Sequence, residues 1–443
     1  MKKIFFLLLS FMVFSSGKAQ QFDTTAYKAA YKVHFEKTAF GDSLTTDTKI
    51  AGLSTAWAEA KYNFANFDLI PAVNWDSIYN AYIPKVIDSR DRKEYYTLLK
   101  EFYTHLNDGH SLIVPPKELW NEFMASLPIR AQLIEDRVVI TGLQSNKPEY
   151  ELLQPRSIIN KINGIPAKEY AEKYVAPYVS ASTAHDLTAR LYSYFLTHGS
   201  LKEPLVLEME TPKGKKITHS FIRESRDQLF PASSGFSYKP INNSTGLLTI
   251  NTFNDSDVVK FYDSLFQTPL PRNLIIDIRN NGGGNGNNGF ELIGYLTSEG
   301  FPMSMQVMRR YKPVQRAWGG EPDVLEVGNY TWKPYKTPVF TGNVVVLAGP
   351  DTYSAAEDFL SAFKNLKRGT VVGQATGGST GQPLMFQLPF GGLGIVCAKR
   401  DVLPDGTEFV GVGISPDIEV KPTLKAFLSG KDEAFEAALK MLR

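Results

Sequence analysis

Asn273-Leu-Ile-Ile-Asp-Ile-Arg-Asn-Asn-Gly-Gly-Gly284 is an apolar strand that runs into a loop almost without side-chain volume. A second segment repeats the design: Asn343-Val-Val-Val-Leu-Ala-Gly-Pro-Asp-Thr-Tyr-Ser-Ala-Ala-Glu-Asp-Phe-Leu360 reads as an apolar strand, a turn and a helix. Short, continuous apolar strands of this kind belong in a sheet covered on both faces. Together with the helices around them they predict an α/β core, with chemistry expected at the carboxyl ends of the strands.

Around those two segments strand and helix alternate. Strands are expected at Thr245–Thr252, Asn273–Asp277, Asn343–Leu347, Thr370–Gly373, Leu384–Leu388, Leu393–Ala398 and Ile418–Val420, with helices at Asp255–Gln267, Gly289–Thr297 and Ser354–Leu366. Upstream, Arg226–Asn243 carries little periodic signal and reads as a linker. Residues 125–225 read as a small mixed module. Its hairpin turns at Glu135-Asp136 and Asn163-Gly164, helices cover Ala167–Val175 and His185–Phe195, and strands follow at Leu205–Glu210 and Ile217–Ile222. Residues 20–124 are helical in pattern, with apolar spacings of three and four over Ile50–Phe64, Trp75–Val86 and Arg92–Leu106. Residues 226–443 are assigned to the α/β core.

The ends and the composition narrow the function. Lys2-Lys3, the apolar run Ile4–Phe14 and the small residues Gly17 and Ala19 form a signal-peptide pattern, with cleavage expected after Ala19. An exported protein, periplasmic or extracellular, is therefore expected, with no membrane span. Removing Lys2, Lys3 and Lys18 takes Lys plus Arg from 48 to 45 against 46 acids. So even a balance predicts no nucleic-acid partner. Cys397 is the single cysteine, which excludes an intrachain disulfide. No metal-binding pattern is present and no cofactor is expected.

Ser354 stands where the second strand has ended and a helix begins. A nucleophile there would have the Ala355 N–H directed at developing negative charge, and Gly282, Gly283 or Gly284 would complete an oxyanion site. The alternative is a capping box, in which Ser354 is an N-cap paired with Glu357. A serine hydroxyl needs a base. The chain has six histidines. His34, His105, His185, His198 and His219 fall within or beside helices and strands, without neighbours that argue for chemistry. His110, in Asn107-Asp-Gly-His-Ser111, follows a helix end and precedes a strand, a place suited to a cleft. Its competing role is to cap that helix end. The sequence by itself does not bring it to Ser354.

With these residues in view the chain resembles the S41-family serine peptidases, the C-terminal-processing and tricorn-like group, and in particular a secreted Bacteroidetes branch. The resemblance rests on Asp108-Gly-His-Ser111, Asp277-Ile-Arg-Asn-Asn-Gly-Gly-Gly284, Thr352-Tyr-Ser-Ala-Ala-Glu357 and Gly411-Val-Gly-Ile-Ser-Pro-Asp417, in the family order. It implies a ClpP/crotonase-like catalytic core and a PDZ-like middle module. It also implies a peptide or unfolded-protein substrate, with Ser354 as nucleophile. The processing branch takes a lysine as base, yet Gly373-Gln-Ala-Thr-Gly-Gly-Ser-Thr-Gly381 has none, so the tricorn-like pattern with His110 as base is implied instead. The supporting carboxylate is then expected at Glu408, two residues before the matching position, where Val410 stands. Gly109 occupies the place of a serine in that pattern, so another hydroxyl or water must stand in for it. A catalytically silent peptide-binding scaffold and an esterase are the alternatives, the latter without the Gly-x-Ser-x-Gly elbow.

Overall fold

In a computed structural model, residues 24–26, 28–29, 40–225 and 235–443 are described. The expected signal segment 1–19 lies outside the described residues. Phe40–Arg443 form one compact unit, built on a six-stranded sheet. Its strand order is Ile418–Glu419, Thr370–Gly373, Asn343–Ala348, Asn273–Asp277, Thr245–Ile250 and Phe236–Asn242. The first five run parallel and the last antiparallel.

The two sequence segments lie side by side in register, Asn273 opposite Asn343 and Asp277 opposite Leu347. Side chains alternate across the sheet. Leu274 and Ile276 enter one apolar cluster with Phe253, Phe290, Phe359 and Phe363, from the helices and loops of one face. Ile275, Val345 and Leu347 enter another beneath the C-terminal helix Glu433–Met441, with Ala434 and Ala438. Burial on both faces accounts for the unbroken apolar runs.

The helices Thr46–Asn63, Trp75–Asp88 and Arg92–Thr104 start on the side-chain caps Thr45, Asn74 and Asp91. Their shared core includes Ile113, Leu388, Val396 and Cys397. The helical region and the 226–443 region therefore bury apolar surface against each other. The short strand Leu112–Val114 pairs antiparallel with Leu393–Cys397, placing Leu112 opposite Ile395. That pairing carries Gly109 and His110, just upstream, to the core. The middle layer is an antiparallel sheet in the order Ile129–Ile134, Arg137–Leu143, Ile158–Ile162, Leu205–Glu210 and Lys216–Phe221. Both predicted turns have left-handed residues, Glu135 and Asp136 in one, Asn163 and Gly164 in the other.

Two readings need correction. The end of the expected linker Arg226–Asn243 is the strand Phe236–Asn242, which zips onto Thr245–Ile250. It is an edge strand, and its mixed burial gives no clean alternation. Second, Ala167–Val175 and His185–Phe195 are not uniform α-helices: each changes to a π-helical turn, at Ala171–Val175 and Leu191–Phe195.

Candidate active site

Ser354 is the residue before the helix Ala355–Asn365, and its backbone is left-handed, with φ 56° and ψ −125°. A non-glycine residue held there costs roughly 1–3 kcal/mol and persists only where its surroundings fix it. They do. The Ser354 N–H faces the Ser379 carbonyl at 3.1 Å and a Glu357 carboxylate oxygen at 3.2 Å. Tyr353 N–H donates to the Asn281 carbonyl and Thr352 Oγ1 to that of Ile278, tying the turn to the glycine-rich loop.

His110 Nε2 lies 3.0 Å from Ser354 Oγ. Its Nδ1 lies 2.8 Å from Ser379 Oγ, and that hydroxyl reaches Asp108 Oδ1 at 3.4 Å. With Nε2 accepting from Ser354, Nδ1–H donates to Ser379 and Ser379 in turn donates to the buried Asp108 carboxylate. Asp108 also accepts from Ser111 at 2.6 Å and from Ser182 at 3.4 Å. The imidazole stacks on Tyr353, centroids 4.9 Å apart, and the Arg190 guanidinium lies 4.6 Å from the same Tyr353 ring.

This packing explains Gly109. A Cβ there would come within 2.2 Å of the Tyr353 hydroxyl and 2.6 Å of Arg190 Nη2. No serine fits, and the hydroxyl arrives from Ser379 on another segment. Ser111 points away, to Asp108 and the Cys397 N–H.

Glu408 does not take the role expected of it. Its half-exposed carboxylate faces Arg400 at 3.5 Å, and the bridge between Val402 and Glu408 holds it on that hairpin. The carboxylates that meet the site are Asp108 and Glu357. Fully buried, Glu357 accepts from Thr376 Oγ1 at 2.5 Å, Gly378 N–H at 2.9 Å and Ser379 N–H at 3.0 Å, besides Ser354 N–H. It therefore fastens the serine turn to the segment that supplies Ser379. The late motif contributes backbone: Ile414 N–H donates to Thr376 Oγ1 and Gly411 N–H to the Gly378 carbonyl. The Ser-x-x-Glu spacing signalled Glu357 only as a capping partner, and nothing local marks Ser379.

The glycine loop reaches Ser354. A Cβ on Gly283, whose φ is +97°, would lie 2.7 Å from Ser354 Cβ and 3.0 Å from Ala355 N. Gly283 N–H is itself taken by Asn281 Oδ1 at 2.9 Å, so of the expected oxyanion donors it is the one already engaged. Among the described residues, Ala355 N–H, Gly282 N–H and Gly284 N–H have no acceptor. Gly282 also lines a cavity of about 640 Å³ with Pro350, Asp351 and Tyr353 from the core, Ile129 and Arg130 from the middle layer, and Lys100 from the helical region.

Burial, with Arg190 and Lys399 nearby, lowers the His110 pKa to about 3. Burial raises Asp108 to about 6, opposed by the Ser111 hydrogen bond and by Arg190. Burial likewise pushes Glu357 up to about 8 against its four donors. A neutral imidazole beside a hydroxyl, with free amide donors next to that hydroxyl, suits proton abstraction and stabilisation of an oxyanion. Arg279 pairs with Asp277 and with Asp432. Lys364 pairs with Asp417. Among the described residues no cluster of metal-binding side chains occurs.

The profile of peptidase family S41 matches residues 244–420, the span holding both strands, the glycine loop and Ser354. Through residues 244–420 the chain belongs to peptidase family S41. It is of the serine type. It is 23% identical over 392 residues to a carboxyl-terminal-processing protease of Synechocystis, covering 83% of this chain and 81% of that one. To the chloroplastic C-terminal processing peptidase of Tetradesmus obliquus it is 29% identical over 149 residues, 34% of this chain and 29% of the relative. Among solved structures, mature CPAF superposes with a TM-score of 0.69 at 15% identity, covering 90% of this chain and 97% of CPAF. The shared fold thus extends well beyond the profile match.

Proposed function

We propose that this S41 peptidase hydrolyses peptide bonds through an acyl-enzyme on Ser354, with His110 as general base and then general acid. The observation that carries the reading is the 3.0 Å contact of His110 Nε2 with Ser354 Oγ, beside the unpaired Ala355 N–H. Ser354 Oγ attacks the carbonyl carbon while its proton passes to His110. Ala355 N–H and the Gly282–Gly284 loop hold the oxyanion. The imidazolium that forms is stabilised through Ser379 by Asp108, and it then protonates the leaving amine. Water, deprotonated by His110, releases the acyl group.

The substrate is an extended peptide or unfolded segment of an exported protein. Export is supported by the basic–apolar–small pattern of residues 1–19. Among the described residues no helix is long and apolar enough to cross a membrane. The antiparallel layer within 125–225 is assigned as a PDZ-like capture module. Its support is that Ile129 and Arg130, from the outer strand of that layer, line the same cavity as Gly282. Strand addition to such an edge would guide a chain toward Ser354.

The test is cleavage of a mixed-length peptide library, read by mass spectrometry, for wild type and folded Ser354→Ala. Products from wild type alone support the reading. Equal products from both, or none from wild type across a broad pH range, overturn it, the latter in favour of a silent peptide-binding protein.

A further inference from the structure

The cavity beside the glycine loop carries a cation without a counter-ion. Its walls are largely apolar and aromatic, with Leu112, Trp120, Phe123, Leu127 and Phe195 among the lining residues. The ionisable groups that line it are Lys100, Arg130, Asp186, Arg190, His198 and Asp351. Arg190 is bound to Asp186 at 2.7 Å. Asp351 accepts from Ser193 and feels the charge of Arg130, whose guanidinium also sits 5.5 Å from the Tyr194 ring. Lys100 differs. It projects from the helix Arg92–Thr104, and its amine lies 5.3 Å from the centre of the Phe123 ring. Among the described residues it makes no hydrogen bond or ion pair.

Ammonium groups taken out of water are ordinarily paired, because desolvation costs several kcal/mol without a counter-charge. Burial lowers the Lys100 pKa to about 8, which leaves the amine chiefly protonated at neutral pH. The π face of Phe123 offsets part of that cost. What completes the site is an anion small enough to enter between aromatic walls.

We infer that this cavity is a substrate subsite for a peptide segment bearing apolar side chains and one carboxylate, with Lys100 as the group that receives the carboxylate. The inference rests on the peptidase reading for its substrate class. It takes that reading further by assigning a preference to a cavity outside the reacting atoms. The carboxylate has two possible sources, the C-terminus of the peptide or an acidic side chain, and they share the same chemistry at Lys100.

Binding to folded Ser354→Ala protein, which does not consume the probe, tests it. The probes are fluorescent apolar hexapeptides: one with a free C-terminus, its C-terminal amide, the amide carrying a single Glu at each position, and the matching Gln peptides. The expected result is that one carboxylate source binds about ten- to a hundredfold tighter than its neutral counterpart, the range of a charge-assisted hydrogen bond. Adding Lys100→Met should bring that ratio close to one. Lys100→Gln serves in its place if the methionine variant melts early.

Free-acid preference identifies the terminus, and Glu-over-Gln preference identifies a side chain. A ratio near one in the parent protein overturns the inference, as does a ratio that survives both Lys100 substitutions. Turnover of the same peptides by wild type is scored separately. Carboxylate-dependent binding without any turnover would sink the hydrolytic reading while leaving the subsite in place.

Discussion

Removing the Ser379 hydroxyl tests the relay at its weakest joint. Ser379 touches neither Ser354 Oγ nor any group proposed to hold substrate, so Ser379→Ala should act on kcat and shift KM less than about threefold. Two effects set the size. The imidazolium formed in the transition state loses a hydrogen bond to a hydroxyl, worth about 1.5–3 kcal/mol when one partner is charged, or roughly ten- to a hundredfold in kcat. Asp108 keeps its charge. Through the 2.8 and 3.4 Å contacts of Ser379 it stands no more than about 6 Å from His110 Nδ1, a Coulomb attraction of about 3 kcal/mol at an effective dielectric near 20. Asp108→Asn should therefore cost about a hundredfold. It should also abolish any fall in kcat/KM below about pH 6, where the wild-type carboxyl takes up its proton. Since the two groups act in series, the double variant should be little worse than the poorer single one. Steady-state kinetics on one peptide from pH 4 to 9, with thermal melts to exclude unfolding, give all four values. If Ser379→Ala stays within about twofold of wild type in kcat, or if the two losses multiply in the double variant, the relay through Ser379 is wrong.

Gly283→Ala should lower kcat by about a hundredfold or more, the cost of a misplaced oxyanion site, because the new Cβ would meet Ser354 Cβ and the Tyr353 carbonyl at 2.7 Å. Wild-type KM and kcat would speak against that contact. Gly109→Ser should also fail, since its Cβ has no space against Tyr353 and Arg190. An active variant with an unchanged melting temperature would refute this. His110 makes a pH prediction for stability. Its folded pKa, about 3, lies below the ordinary 6.5, so its contribution is complete above pH 6.5 and is lost as pH falls toward 3. The upper bound by linkage is about 5 kcal/mol. Asp108, raised to about 6, works in the opposite sense and loses its contribution as pH rises through that value. Denaturant midpoints at pH 7 and pH 4.5 should therefore converge in His110→Asn relative to wild type. An unchanged pH dependence would count against a buried neutral histidine.

The two strand segments were legible because burial on both faces writes itself into consecutive residues, and Asn273–Asp277 and Thr370–Gly373 match their expected bounds. The edge strand Phe236–Asn242 was not, because an edge strand with one wet face leaves a broken pattern. Ser354 and His110 were legible from their junctions between elements, but their meeting depends on Leu112–Val114 pairing with Leu393–Cys397 across most of the chain. Asp108 was quoted in its motif and given no role, since its partners Ser182 and Ser379 come from distant segments. Glu408 was chosen as the carboxylate two residues before the matching position, and a sequence offset does not say which way a hairpin side chain faces.

The departure at Gly109 and the gain of Ser379 are one structural event. Stacking His110 on Tyr353, with Arg190 on the same ring, fixes the imidazole plane and fills the space where a side chain at position 109 would go. The Nδ1–H still needs an acceptor, because an unpaired donor there would free the ring to turn away from Ser354. The Ser379 hydroxyl, on the 376–379 segment, satisfies it. Placing its hydroxyl requires fixing that segment against the serine turn, which Glu357 does by accepting from Ser354, Gly378 and Ser379 at once. It follows that Glu357→Gln, nearly the same shape, should disturb both ends of the relay. One face of its amide would donate toward N–H groups that also donate, leaving at least one buried donor unpaired at about 1–3 kcal/mol. Loss of stability together with a kcat loss exceeding that of Ser379→Ala is the expected outcome. A Glu357→Gln enzyme less impaired than Ser379→Ala would show that the carboxylate is a helix cap and no more.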